Sequence, residues 1–91
     1  MATVRIPPVL REEVAGNRTV TAAGATVAEV LDGLFAAYPA LRARVTEDGA
    51  LSRFVNVYVN DRDVRYREGL GTPVEPDDTV ILLPAMAGGT R

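Results

Sequence analysis

Between Thr26 and Pro39 the chain carries one continuous apolar stripe, with Val27, Val30, Leu31, Leu34, Phe35 and Tyr38 at i, i+3, i+4, i+7, i+8 and i+11. That spacing is one face of an α-helix. Thr26-Val-Ala-Glu29 has the form of a capping box, in which the threonine accepts from first-turn amides and the glutamate reaches back, and Pro39 stops the helix. A helix that is apolar on one side only must bury that side, so the remaining segments have to supply a surface for it.

Those segments read as strands. Thr3-Val-Arg-Ile6 and Arg18-Thr-Val-Thr21 alternate polar and apolar residues, which predicts a hairpin whose long, polar loop starts at Pro7-Pro8 and passes Gly16-Asn17. Ala40 to Val45 predicts a short helical extension, and Glu47-Asp-Gly49 a turn. Arg53-Phe-Val-Asn-Val-Tyr-Val59 is the strongest strand signal: Val55, Val57 and Val59 share the face toward the helix, and Phe54, Asn56 and Tyr58 share the other. Val64-Arg-Tyr66 predicts a short strand before the Gly69-Leu-Gly71 break, Pro73 to Asp78 a loop, and Thr79-Val-Ile-Leu-Leu83 a final strand ended by Pro84. The order of elements predicts an α+β roll, a mixed sheet of four to five strands with one main helix packed across it.

At 91 residues, with 47% hydrophobic and 24% charged residues, the chain has the size and composition of one folded domain, placed at 1–84 and followed by a tail at 85–91. There is no cysteine and no histidine, which removes disulfides, thiolate nucleophiles, the commonest zinc ligands and the usual neutral-pH base. The adjacent carboxylates Glu12-Glu13, Glu47-Asp48 and Asp77-Asp78 fall in polar connections and read as solvated charges, so no catalytic residue and no metal site is assigned. All ten basic residues are arginine and the net charge is -2, which gives no basic footprint for nucleic acid. The N-terminus lacks the pattern of a secretory signal and no stretch is long and apolar enough to span a membrane, so a cytoplasmic location is expected.

After Pro84 come Ala85, Met86, Ala87, Gly88, Gly89, Thr90 and Arg91. Small residues and a glycine pair suit a segment that threads a backbone carboxyl through a channel too narrow for side chains. Ala85 to Gly89 extends about 17 Å at roughly 3.4 Å per residue, enough to enter a partner's active site while the domain stays outside.

The chain resembles the ThiS/MoaD superfamily of ubiquitin-like sulfur carriers, and among them the CysO-type carriers of cysteine biosynthesis. The resemblance rests on Arg53-Phe-Val-Asn-Val-Tyr-Val-Asn-Asp-Arg-Asp-Val-Arg65, on Gly69-Leu70 and on Ile81-Leu-Leu-Pro-Ala-Met-Ala-Gly-Gly89, and it covers nearly the whole length. It implies a β-grasp fold and a protein co-substrate rather than an enzyme. It implies that the Gly89 carboxyl is adenylated by a ubiquitin-activating-type enzyme using ATP and magnesium, then converted to a thiocarboxylate. The sulfur would pass to a PLP-dependent cysteine synthase or a related sulfur-incorporating enzyme, with release by a zinc-dependent JAMM-type protease. Those cofactors belong to the partners, and none is bound by this chain.

Thr90-Arg91 depart from the simplest family pattern, and the expectation is that a JAMM-type protease removes them. Strand alternation adds a docking patch: with Val80 and Leu82 turned inward, Ile81 and Leu83 face outward beside Phe54 and Tyr58 near the root of the tail. Other readings are a molybdopterin synthase small subunit, a thiamin-pathway carrier, a ubiquitin-like protein modifier and a plain interaction domain.

Overall fold

A computed structural model of the chain describes residues 1–84. Its strands are β1 (Ala2–Arg5), β2 (Thr19–Ala22), β3 (Thr46–Glu47), β4 (Ala50–Leu51), β5 (Val55–Val59), β6 (Arg62–Asp63) and β7 (Thr79–Pro84), with helices α1 (Val27–Ala37) and α2 (Ala40–Val45). Short 3-10 helices occupy Pro8–Val14, Val64–Tyr66 and Gly69–Gly71.

Five strands form one mixed sheet in the order β2-β1-β7-β5-β6, and β3 and β4 form a separate hairpin. β1 runs antiparallel to β2 and parallel to β7, while β7 runs antiparallel to β5. The register puts Val20, Val4, Val80 and Val59 in one row across four strands. Val4 and Val80 are fully buried, and Val27, Val30, Leu31, Leu34 and Phe35 of α1 close over the same core. The stripe therefore finds the sheet that the alternating segments predicted.

The start of α1 follows its capping signal. Thr26 Oγ1 accepts from the Glu29 amide at 3.3 Å, and Glu29 Oε1 accepts from the Ala25 amide at 2.9 Å, one residue ahead of the cap. Thr72, buried at the end of the Gly69–Gly71 turn, holds this corner by accepting from the Val27 amide through its carbonyl.

Four local expectations are corrected. The connection after β1 is not simply a polar loop: its 3-10 helix buries Leu10 and Val14, and Glu13 Oε2 accepts from Arg44 Nη1 of α2 at 2.9 Å. Val64-Arg-Tyr66 is a 3-10 turn rather than a strand, because Asp63 Oδ1 accepts from the Arg65 amide at 2.8 Å and turns the chain out of the extended state. Pro84 continues the last strand, opposite Val55, instead of ending it. The strand predicted at Arg53 begins only at Val55: Arg53 and Phe54 form a turn in which the Phe54 amide donates to Ser52 Oγ at 3.1 Å.

Candidate functional site

β7 lies inside the sheet, with β1 on one side and β5 on the other. Its last described residue, Pro84, pairs with Val55 of β5, and the region around it is the candidate site. Ala85, Met86, Ala87, Gly88, Gly89, Thr90 and Arg91, which the sequence assigns to threading, activation and processing, lie outside the described residues.

The predicted docking residues divide into two groups. Tyr58 and Ile81 are cross-strand neighbours on the outer face of the sheet, in the row Asp63, Tyr58, Ile81, Arg5, Thr19. Leu83 lies on the same face, opposite Asn56, and is 42% exposed. Phe54, 51% exposed, stands off the ladder because it precedes the strand, with the Arg53 guanidinium 5.3 Å from its ring centroid. It lines a small cleft of about 110 Å³ with Val9, Leu10, Arg44, Val55 and Pro84.

Val9 is the residue that sequence reading missed. It is 58% exposed, and the 3-10 helix carries it to the rim of that cleft. A proline pair followed by an apolar residue was the one available signal, and it does not say which face the residue takes. Phe54, Val9, Leu83 and Pro84 together surround the root of the tail with exposed apolar surface.

On the other side of Pro84 an open groove of about 590 Å³ is lined by Ile6, Pro7, Ile81, Leu83 and Pro84, with Arg5, Arg11 and Arg18 at its walls. Arg11 Nε donates to the Ile6 carbonyl at 3.1 Å, which fixes the base of that side chain.

The two asparagines of the Asn56 to Asn60 stretch have structural partners. Asn56 Oδ1 accepts from Arg65 Nη1 at 2.8 Å. Asn60, with φ 57°, accepts from the Thr79 amide at 3.0 Å and donates to Asp78 Oδ1 at 3.1 Å. Asp78 also accepts from the Glu75 amide at 2.9 Å, and this bond, followed by that from Asn60, holds its carboxyl below the ordinary carboxylate range. A carboxylate kept ionised in a turn is the opposite of a poised general acid. Glu13, likewise, is engaged by Arg44.

The geometry is thus that of a strand end paired to β5 and bordered by apolar and cationic surface, suited to presenting a segment to another protein. Residues 4–89 match the ThiS family. Over 90 residues the chain is 44% identical to the sulfur carrier protein CysO of Mycobacterium tuberculosis (strain ATCC 25618 / H37Rv), covering 96% of this chain and 97% of that protein. A chain in the crystal structure of the Amycolatopsis orientalis BexX/CysO complex superposes with a TM-score of 0.91 at 45% identity, covering 98% of this chain and 100% of that one. The small archaeal modifier protein 1 of Methanosarcina acetivorans superposes with a TM-score of 0.84 at 32% identity, covering 97% of this chain and 95% of that one. The fold is the ubiquitin-like β-grasp, and the chain belongs to the ThiS family.

Proposed function

We propose that the chain is a sulfur carrier of the CysO type whose working group is the carboxyl of Gly89, exposed once Thr90-Arg91 are removed from a tail that begins after residue 84. The observation that carries this reading is the family match, which runs from residue 4 through residue 89 and so reaches Gly89 and leaves out the last two residues. Near full-length similarity to a sulfur carrier protein supports the same conclusion.

The chemistry follows from what a carboxylate lacks. Its oxygen is a poor leaving group, so an adenylating partner first joins it to the α-phosphorus of ATP, with release of pyrophosphate. Hydrosulfide then attacks the acyl carbon, AMP leaves as the acyl–oxygen bond breaks, the sulfur loses its proton, and a thiocarboxylate remains. This anion attacks an activated substrate carbon in a sulfur-incorporating partner, such as a PLP-dependent cysteine synthase. Magnesium at the adenylating enzyme and zinc at the trimming protease belong to those proteins. This chain supplies a narrow tail, a fixed root and a surface for the partner to hold; that a related chain is found in a BexX/CysO complex supports such engagement.

Intact-mass spectrometry of the protein purified from its own host tests the reading. The expected product is a species ending at Gly89 and heavier than the free acid by the difference between sulfur and oxygen. Full-length chain ending at Arg91 as the single species, in sulfur-limited and sulfur-replete growth alike, would sink it.

A second reading has its own support in the similarity to a small archaeal modifier protein. In that case Gly89 is joined to lysines of target proteins. The chain contains no lysine, so such a modifier would not extend into polymers through its own side chains. Gly89 found in isopeptide linkage in cell extract would favour this reading over the carrier.

A further inference from the structure

The groove beside Pro84 holds charge that neither the sulfur chemistry nor the apolar patch uses. Arg5 reaches it from β1, Arg11 from the 3-10 helix and Arg18 from the approach to β2, over an apolar floor that includes Ile81, Leu83 and Pro84. None of its lining residues among the described residues is acidic. The ion pair formed among the described residues is Arg44 with Glu13, so Arg5 and Arg18, both exposed, have no carboxylate within 4.0 Å there.

Folding alone does not ask for this. The chain has twelve acidic residues and a net charge of -2, so partners for three arginines are plentiful elsewhere in the sequence. Three like charges around one groove repel one another, and an incoming carboxylate relieves that repulsion while accepting from a guanidinium fork. A groove of about 590 Å³ is larger than a single small anion needs, and its floor favours apolar side chains between the charged contacts. Pro84 is among its lining residues, so a protein that receives the segment after Pro84 comes within reach of the groove.

We propose that this groove docks a short, extended acidic segment of the protein that receives the tail, with Arg5 and Arg18 pairing its carboxylates and Arg11 held in place by Ile6. The proposal rests on the carrier reading for the existence of a tail-receiving partner, and it adds the partner's chemistry and the place where that partner holds on. Electrostatic contacts of this kind act on association rate and partner choice, and weaken with salt.

The test uses the full chain, trimmed to Gly89, and the host's adenylating enzyme as the probe, with affinity measured at low and high salt. Wild-type binding is expected to weaken as salt rises. Arg5→Gln combined with Arg18→Gln is expected to bind about tenfold more weakly at low salt and to lose most of that salt dependence. Arg5→Lys should keep the salt dependence, and Arg62→Gln, on β6 outside the groove lining, should behave as wild type. Circular dichroism checks that each variant is folded, which their exposure favours.

Wild-type and double-variant chains binding equally, with equal salt slopes, would overturn the acidic-segment proposal while leaving the carrier reading intact. No binding of the wild-type chain would overturn both. Saturable micromolar binding of inorganic phosphate alone, seen at the arginine Nε–H resonances, would make this a small-anion pocket and overturn docking of a segment.

Discussion

Arg65 closes an edge that β6 is too short to cover. β6 pairs with Tyr58 and Val59, leaving the earlier carbonyls of β5 without a strand on that side. The guanidinium takes the place of one: Nη2 donates to Val55 O at 2.9 Å and Ser52 O at 3.2 Å, while Nη1 donates to Asn56 Oδ1 at 2.8 Å. An open strand edge invites pairing with another chain, and a charged side chain laid along it is one way of blocking that. Arg65→Ala is expected to lower unfolding stability by about 1 to 3 kcal/mol in urea denaturation, the range for losing bonds made by a charged donor. Arg65→Lys should recover less than half, because an ammonium cannot span acceptors that a planar fork reaches together. A wild-type urea midpoint in the alanine variant would mean that water satisfies these acceptors equally well. Alternation alone placed Asn56 on the outer face and Asn60 in a turn, which is where they are. Their partners were not legible, because Arg65 lies 9 positions from Asn56 and Thr79 lies 19 positions from Asn60, and strand pairing is what joins them.

Helix α1 was the most legible element because local signals agree with its packing: cap, stripe and proline stop all point to one segment. Gly24, just before it, and Gly33, within it, differ in a way the sequence does not reveal. A Cβ on Gly24 would lie 2.6 Å from the Val30 amide nitrogen, a backbone atom that moves only if α1 moves. A Cβ on Gly33 would meet Ala23 O at 3.7 Å and Ala22 Cβ at 3.8 Å, which is ordinary contact. Gly33→Ala is therefore expected to stabilise the fold by roughly 0.5 to 1 kcal/mol, through the backbone freedom removed from the unfolded chain. Gly24→Ala should destabilise it by about 1 to 3 kcal/mol, as overpacking does. Thermal melts read by circular dichroism separate the two, and melting temperatures that moved in the same direction would contradict the packing described for α1. Elements set by side-chain to backbone bonds were the least legible. Val64-Arg-Tyr66 has strand alternation, yet Asp63 caps a 3-10 turn there, and Tyr66 ends 89% exposed. The segment Pro8–Val14 hides two core residues among charges, and only its contact with α2 shows why it coils.

Across the whole molecule, the parallel pairing of β1 with β7 brings the end of β1, and the Ile6-Pro7 segment after it, beside the end of β7. That pairing explains which parts of the candidate site were legible. The residues read as a tail are contiguous in sequence and lie outside the described residues, whereas Arg5, Arg11 and Arg18 come together only through the β1–β2 register, in which Arg5 faces Thr19. The predicted hairpin already contained that juxtaposition, but the side on which Arg11 would join it depended on an unpredicted helix. The apolar half of the surface carries a prediction that separates docking from folding. Phe54 and Leu83 are 51% and 42% exposed, so Phe54→Asp and Leu83→Asp should each change stability by no more than about 0.5 kcal/mol. Leu82, 1% exposed next to Leu83 on the inner face, should not tolerate the same change, since an unpaired buried carboxylate is strongly unfavourable. If the partner grips the domain as well as the tail, thiocarboxylate formation on the two surface variants should fall by about tenfold or more, in line with the loss of an apolar anchor at a protein interface. Conversion at the wild-type rate would show that the apolar patch takes no part in recognition, because these variants would have kept the fold, the tail and the arginine groove and lost nothing but the exposed apolar contacts near Pro84.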